Sequence, residues 1–244
     1  MRDLTDEIQV YLLPLNQFDD AIVNRSLQLL TDEEQGSAAR IRHGETHRNF
    51  VMVRSLLRVL LARHFRGEPG AIQLAFSPKG KPRLAGTEPD QGLVFNVSHS
   101  GDYGLIAITF DTALGVDVER WRSHSNPESI AARCFSPEEL AYWKALPPEH
   151  QRQAFHALWS FKEAFAKATG EGISIGLESC AISLPTHPRL ISIPERFGSP
   201  EDWWLNDIDA GTGYSAGICY RGDQRKLHYA EPRELVNYLF NWVI

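Results

Sequence analysis

The order of elements along this chain predicts an α+β fold of two similar halves, joined near residue 114. Three observations carry that expectation. A long amphipathic helical pattern occurs twice, at about 45–65 and about 149–169. Three strand-like runs follow each of them, and the last pair in each set is joined through a Gly-rich turn, 100–104 and then 210–213. No short-period repeat accompanies this order, so the likeness is one of architecture rather than of sequence. Residues 1–114 then form an N-terminal half and 115–244 a C-terminal half, each a long helix packed on a small, mostly antiparallel sheet.

The elements follow from local chemistry. Residues 8–15 read as a first strand. Thr31-Asp32-Glu33-Glu34 is a capping box that starts a helix towards Arg42. Phe50, Val53, Leu56, Leu57, Leu60 and Leu61 recur at helical spacing and form the buried side of the first long helix. Gly67, Pro69 and Gly70 end it. Strand-like runs cover 72–77, 93–98 and 104–110, with a short strand or loop at 82–84 after the turn 77–82. Residues 85–92 are loop. In Gly115-Val116-Asp117-Val118-Glu119, alternation puts the valines on one face and both carboxylates on the other. Residues 121–129 are polar and read as a loop. Ser136-Pro137-Glu138-Glu139 starts another helix, which Pro147-Pro148 break. The second long helix closes at Gly170 and Gly172. Strands at 180–184, 203–209 and 214–220 follow, then a last strand and a short helix around 234–240.

Composition narrows the function. The chain has 244 residues, 43% hydrophobic and 23% charged, ordinary values for a globular protein. A net charge of −6 argues against nucleic-acid binding as the main task. Arginine is nonetheless concentrated at 40, 42, 48, 54, 58, 63 and 66, a local cationic surface suited to a small polyanion. Cys134, Cys180 and Cys219 form no CxxC or Cys/His cluster, so neither zinc nor a disulfide framework is expected, and a reducing cytoplasm fits. Neither a signal peptide nor a membrane span is expected.

The chemistry concentrates at three places. Asp117 and Glu119 are two hard oxygen ligands, and Glu163 on the second long helix supplies a third. Such a set suits Mg²⁺, with Mn²⁺ as the alternative, completed by substrate phosphates. Lys162 and Lys167 flank the third carboxylate and point to phosphate rather than to a neutral substrate. Without them a glycosidase pair would compete, and a plain Glu163–Lys167 ion pair at i,i+4 remains the simplest structural reading. Ser98 and His99 end a strand before a Gly turn. As strand neighbours they project to opposite faces and make a poor nucleophile–base pair, so phosphate binding suits them better than hydrolysis.

Four motifs in this order carry a family resemblance: GKP at 80–82, FNVSHS at 95–100, GVDVE at 115–119 and WSFKEAFAK at 159–167. Together they resemble the Sfp-type 4′-phosphopantetheinyl transferases. RCFSPEEL at 133–140, the Arg-rich helix and Gly213-Tyr214 extend the resemblance over nearly the whole chain. It implies an active site in the cleft between two pseudo-equivalent halves. It also implies transfer of phosphopantetheine from coenzyme A to a serine of an apo acyl or peptidyl carrier protein, with adenosine 3′,5′-bisphosphate leaving. Asp117, Glu119 and Glu163 would hold Mg²⁺. Glu163 would take the serine proton, and Lys162 and Lys167 would neutralise the pyrophosphate. His99 with Ser98 would contact the 3′-phosphate, and Gly80, Lys81 and Pro82 would lie along the adenine or its phosphates. Arg48 would reach the 3′-phosphate, with Arg42 or Arg54 as substitutes. Where some members carry lysines for that phosphate, this chain has Glu33, Glu34, Gln35 and Gly36, which shifts weight to Arg40, Arg42 and Arg48. Loop 121–130, with Trp121 and Ile130, falls where carriers dock in the family. A monomer is expected, because two halves supply their own interface. The competing readings are a non-catalytic coenzyme A-binding module and a metal-dependent phosphoesterase.

Overall fold

Two 22-residue helices each cover the outer face of a sheet, and the two sheets pack inner face to inner face. The computed structural model describes residues 6–88, 91–121, 127–184 and 187–243. Chain order is β1 (Glu7–Pro14), α1 (Asp20–Ser26), α2 (Asp32–Arg40), α3 (Gly44–Phe65), β2 (Leu74–Phe76), β3 (Pro82–Leu84), β4 (Leu93–Ser100), β5 (Tyr103–Phe110) and β6 (Leu114–Arg120). After it come α4 (Pro127–Cys134), α5 (Pro137–Ala145), α6 (Pro148–Thr169), β7 (Ala181–Ser183), β8 (Arg189–Ser192), β9 (Trp203–Asp207), β10 (Tyr214–Arg221), β11 (Lys226–Tyr229) and α7 (Pro232–Val243).

One sheet has the order β11-β1-β5-β4, the other β6-β10-β9, with small hairpins β2-β3 and β7-β8 beside them. All pairs are antiparallel except β1 with β11. Period-two alternation distributes the side chains. On β5, Ile106 and Ile108 meet α3, while Leu105 and Ala107 face the other sheet. On β6, Leu114, Val116 and Val118 enter that central layer. Gly115, Asp117 and Glu119 therefore face α6, as the alternation of GVDVE predicts.

Three departures from the sequence reading have plain causes. Helix α4 begins inside the stretch read as loop 121–129. Pro127 and Glu128 open it, and Ala131 is buried with Ile130 and Cys134 packed beside it on the α6 core. Helix α1 is short and capped by Asp19, which accepts from the Ile22 amide at 2.8 Å; seven residues give too few turns for a visible apolar stripe. Third, β11 and α7 lie at the end of the chain but belong to the first sheet and to α3. The two halves in space are thus not two contiguous stretches of chain.

Candidate active site

Strands β4 and β6 meet at the seam between the sheets through side chains rather than a backbone ladder. Asn96 Oδ1 accepts from the Val116 amide at 2.9 Å. Ser98 Oγ donates to Asp117 Oδ1 at 2.9 Å, and Ser100 Oγ donates to Glu119 Oε2 at 3.1 Å while accepting from the Arg120 amide at 3.1 Å. Every second residue of FNVSHS thus braces β6, and the motif's alternation is the geometric signature of the seam. Helix α6 crosses β6 at Gly115. A Cβ there would stand 2.0 Å from the Ala164 carbonyl oxygen and 2.4 Å from the Ala168 nitrogen. Only glycine permits this approach, which sets Glu163 and Lys167 against Asp117 and Glu119.

The four groups form one electrostatic unit. Lys167 Nζ lies 2.7 Å from Asp117 Oδ1, 2.9 Å from Ser98 Oγ and 3.1 Å from the Val116 carbonyl. Its ion pair is made across the seam to Asp117, not along the helix. Burial raises the Asp117 pKa, with the Lys167 charge and the hydrogen bonds opposing. Burial and the Asp117 charge raise that of Glu119, which also accepts from Trp159. For Glu163, burial and then Asp117 push the value up to about 7, with Lys167 opposing and Glu119 adding. Asp117 Oδ2 and Glu163 Oε1 are buried without a hydrogen-bond partner. Unpaired buried carboxylate oxygens are costly, and so are in want of a cation or a proton.

The residues present fit a divalent cation by that criterion, though not as a closed cage. Among the described residues no three His, Cys, Asp or Glu side chains stand ready as a complete ligand set. Lys167 and Ser98 occupy one oxygen of Asp117, and Ser100 occupies one of Glu119. Such a site needs oxygen atoms from a phosphate ligand, which is the usual habit of Mg²⁺.

Ser100, Glu119 and Trp159 open onto a cleft of about 710 Å³ that is also lined by His43, Thr46, Asn49, His99 and His156. Asn49 Nδ2 donates to the Gly101 carbonyl at 2.7 Å and ties α3 to the β4–β5 turn. Burial, then the Lys167 charge, lowers the His99 pKa, so the ring is poised neutral. A second cleft of about 830 Å³ holds Arg48. A third cavity of about 330 Å³ is lined by Lys81, Pro82 and Phe76 with the end of α6 at Thr169 and Gly170. Lys81 and Pro82 of GKP therefore line this cavity beside the carboxyl end of α6, while Gly80 stands outside its lining.

Several expected ligands are otherwise engaged. Lys162 is fully buried, pairs with Glu139 at 2.8 Å and donates to the Leu177 carbonyl at 2.7 Å, which takes its ammonium away from the carboxylates. Its neighbour in sequence lies about 100° round the helix, so the two cannot share a face. Arg54 sits 3.6 Å from Glu34 Oε1 and stacks between Phe50 and Phe76. Arg48 is held by Asp20 at 2.5 Å and by the Phe18 carbonyl. Lys81 donates to the Leu114 and Ala168 carbonyls at 3.1 and 3.2 Å. Ser98 points to Asp117 and Lys167, on the opposite strand face from His99. Sequence reasoning assigns no site role to Asn49 or Trp159, reads Glu139 only as part of the Ser136 capping box, and gives Ser100 no role in bracing the carboxylates. Period two from Ser98 puts Ser100 on the same strand face and could have signalled its contact with Glu119; Asn49 and Glu139 carry no local signal for what they hold.

Trp121, at the start of the expected docking loop, donates Nε1–H to Ser215 Oγ at 2.9 Å. The rest of that loop, 122–126, lies outside the described residues, while Ile130 falls on α4. Tyr214 closes the seam from β10. Its hydroxyl accepts from the Asp102 amide at 3.0 Å and donates to Asp102 Oδ2 at 3.3 Å.

Family models of known proteins match both parts of the chain. Residues 113–219 match the family model of the 4′-phosphopantetheinyl transferase superfamily, and residues 19–110 match that of the 4′-phosphopantetheinyl transferase N-terminal region. The chain is 36% identical over 186 residues to the 4′-phosphopantetheinyl transferase HetI of Nostoc sp. strain PCC 7120, covering 76% of this chain and 78% of that protein. It is 28% identical over 208 residues to the 4′-phosphopantetheinyl transferase Sfp of Bacillus subtilis strain 168, covering 84% and 87%. The solved Chronobacterium ammoniagenes ACPS–CoA complex aligns with 46% of this chain and 98% of its own at 18% identity and a TM-score of 0.37.

Proposed function

The chain belongs to the 4′-phosphopantetheinyl transferase family, and we propose that it performs that family's transfer, from coenzyme A to a carrier-protein serine, at the seam of β4, β6 and α6. The observation that carries this placement is Glu163, a half-buried carboxyl pushed up to about 7 in the metal-free protein, with its Oε1 out of solvent and unpartnered, beside Asp117 and Lys167.

In the proposed step the serine oxygen bonds to the β-phosphorus of coenzyme A. The bond from that phosphorus to the bridging oxygen breaks, and adenosine 3′,5′-bisphosphate leaves with the electron pair. Glu163 Oε1, which has no hydrogen-bond partner within the protein, takes the hydroxyl proton. Asp117, Glu119 and Glu163 would hold Mg²⁺, which supplies charge neutralisation at the pyrophosphate. Lys167 adds a positive charge at the same place, positioned by Ser98 and the Val116 carbonyl. Catalysis of this kind is mostly orientation and fixed electrostatics.

His99 and Asn49 line the cleft beside the carboxylates and are assigned to the phosphate end of coenzyme A, with Lys81 and Pro82 bounding the cavity assigned to its base. A single chain supplies both walls of the cleft, so a monomer suffices. Three free cysteines agree with a reducing, cytoplasmic setting. No helix among the described residues is long and apolar enough to cross a membrane.

The test is the intact mass of an apo-carrier incubated with the protein, coenzyme A and Mg²⁺, with and without EDTA. A gain of one phosphopantetheine that EDTA abolishes is the expected result. Release of free phosphopantetheine with no gain on the carrier would instead favour a phosphoesterase.

A further inference from the structure

The charge that the sequence offers as a phosphate ligand at Lys162 is spent inside the protein. Its side chain is fully buried. The ammonium has three donors, and all three are used: Glu139 Oε2 at 2.8 Å, the Leu177 carbonyl at 2.7 Å and the Cys180 carbonyl. Glu139 is as fully engaged. It accepts from the Ser136 amide at 2.6 Å, as part of the α5 capping box, and from the Ile182 amide at 2.8 Å at the start of β7. One buried cluster therefore ties α6, the N-terminus of α5 and the chain entering β7.

A buried ion pair contributes little net stability, because desolvation offsets most of the attraction. Its distinct effect is on geometry. Helix α6 is gripped on two sides. On one, the Gly115 notch brings β6 against Ala164 and Ala168. On the other, Lys162 is anchored to three acceptors. Contacts on two sides oppose a roll of the helix about its axis. A carboxylate about 6 Å from a helix axis moves about 1 Å for a roll of about 10°. Misplacement on that scale can cost a rate factor of about 100.

We infer that the Glu139–Lys162 pair is a positioning device that sets the roll of α6 and so the place of the Glu163 carboxylate, and that Lys162 makes no contact with the pyrophosphate. The inference rests on the reading of Glu163 as the proton acceptor.

Three variants test it: Lys162→Met, Glu139→Gln and the double Lys162→Met/Glu139→Gln. Each is measured for melting temperature, coenzyme A dissociation constant by calorimetry, and kcat on an apo-carrier. Lys162→Met strands a buried carboxylate, so its melting temperature falls. The double variant removes that uncompensated charge, and its melting temperature recovers part of the loss. The expected result is that kcat stays down by about tenfold or more in both, because the three-point anchor is gone, while the dissociation constant stays within about twofold. Glu139→Gln, which keeps an oxygen for Ser136 and Lys162 but turns an amide towards the Ile182 N–H and leaves the buried ammonium without a counter-charge, should lower melting temperature and kcat as Lys162→Met does.

Recovery of kcat along with melting temperature in the double variant would reduce the pair to a stability role and overturn the inference. So would a dissociation constant weakened about tenfold at unchanged kcat, which would mark Lys162 as a phosphate ligand. Should Lys162→Met fail to fold, the double variant and Glu139→Gln carry the same comparison. Glu163→Gln, run alongside, separates the two ideas. If it transfers at the wild-type rate, the assignment of the base fails. If it is inactive while the Lys162 variants are normal, only the positioning role fails.

Discussion

Lys167 places its charge on Asp117, 2.7 Å away across the seam, and leaves Glu163, four residues back on the same helix, with an unpartnered oxygen. An i,i+4 pair within the helix would have neutralised the carboxylate that the chemistry needs. The arrangement instead sets the Lys167 charge against the rise that burial imposes on Asp117, and leaves Glu163 pushed up to about 7 in the metal-free protein. Several outcomes should follow.

Glu163→Gln and Asp117→Asn should each lower kcat by about 10²–10⁴ while leaving the fold intact. Carrier mass shift gives the rate, and far-UV circular dichroism with a melting curve gives the fold. Wild-type transfer in Glu163→Gln would remove Glu163 from the role of base.

The pH dependence has opposite signs for rate and stability. As a base, Glu163 must be deprotonated, so kcat should rise with pH, with a midpoint below the metal-free value of about 7 because a bound cation favours the carboxylate. Its folded pKa lies above the ordinary carboxyl value, so the folded state binds more protons between the two. Stability from this group is therefore lost as pH rises through that window. In metal-free protein, Glu163→Gln should melt above wild type at pH 8, and the difference should shrink at pH 5. A difference that grows towards pH 5 would contradict the direction of the shift.

Gly115→Ala should be destabilising by about 1–3 kcal/mol or more, because a methyl group at 2.0 Å from a helix carbonyl forces α6 off β6. Transfer should fall with it even at temperatures where the variant is folded. Urea unfolding and the transfer assay read the two effects separately. A variant with normal kcat would show that the close crossing is not what places Glu163.

Asn96→Ala removes the acceptor for the buried Val116 amide and should cost about 1–3 kcal/mol. Tyr214→Phe removes only the bonds to Asp102 and should cost about 0.5–1.5 kcal/mol. Denaturant midpoints at constant m-value test both. Equal costs would mean that the seam does not bear on the Asn96 side as the hydrogen bonds indicate.

Local chemistry in the sequence made much of this legible. Capping at Thr31 and Ser136 marked two helix starts, and both capping boxes are formed. Alternation in GVDVE correctly separated the valines from the carboxylates. What stayed hidden depended on distant parts of the chain. Nothing near Lys162 announces that Glu139, Leu177 and Cys180 will surround it. The polar stretch before Ile130 concealed α4, whose apolar side is short and buried against α6 and the turn at Leu177–Ser179. Arg48 and Arg54 sit in an arginine-rich helix that suggests anion binding, yet Asp20 and Glu34 pair with them from segments read separately. Burial by non-local partners decides such cases, and helical spacing does not report it.

Strand β11 lies parallel to β1, and α7 contributes Leu239 and Val243 to the core beneath α3. On a ribosome, then, the first half of this chain must wait. Its β1 edge and the lower side of α3 are made early, but the strand and helix that cover them follow only after the whole second sheet. Until β11 and α7 emerge, the nascent N-terminal half carries an open strand edge and an uncovered apolar surface. The strands of the second sheet and α6, by contrast, are all synthesised before β11. A segment translated late therefore closes the half that was translated first, and a truncation ahead of β11 would be felt at β1 and α3.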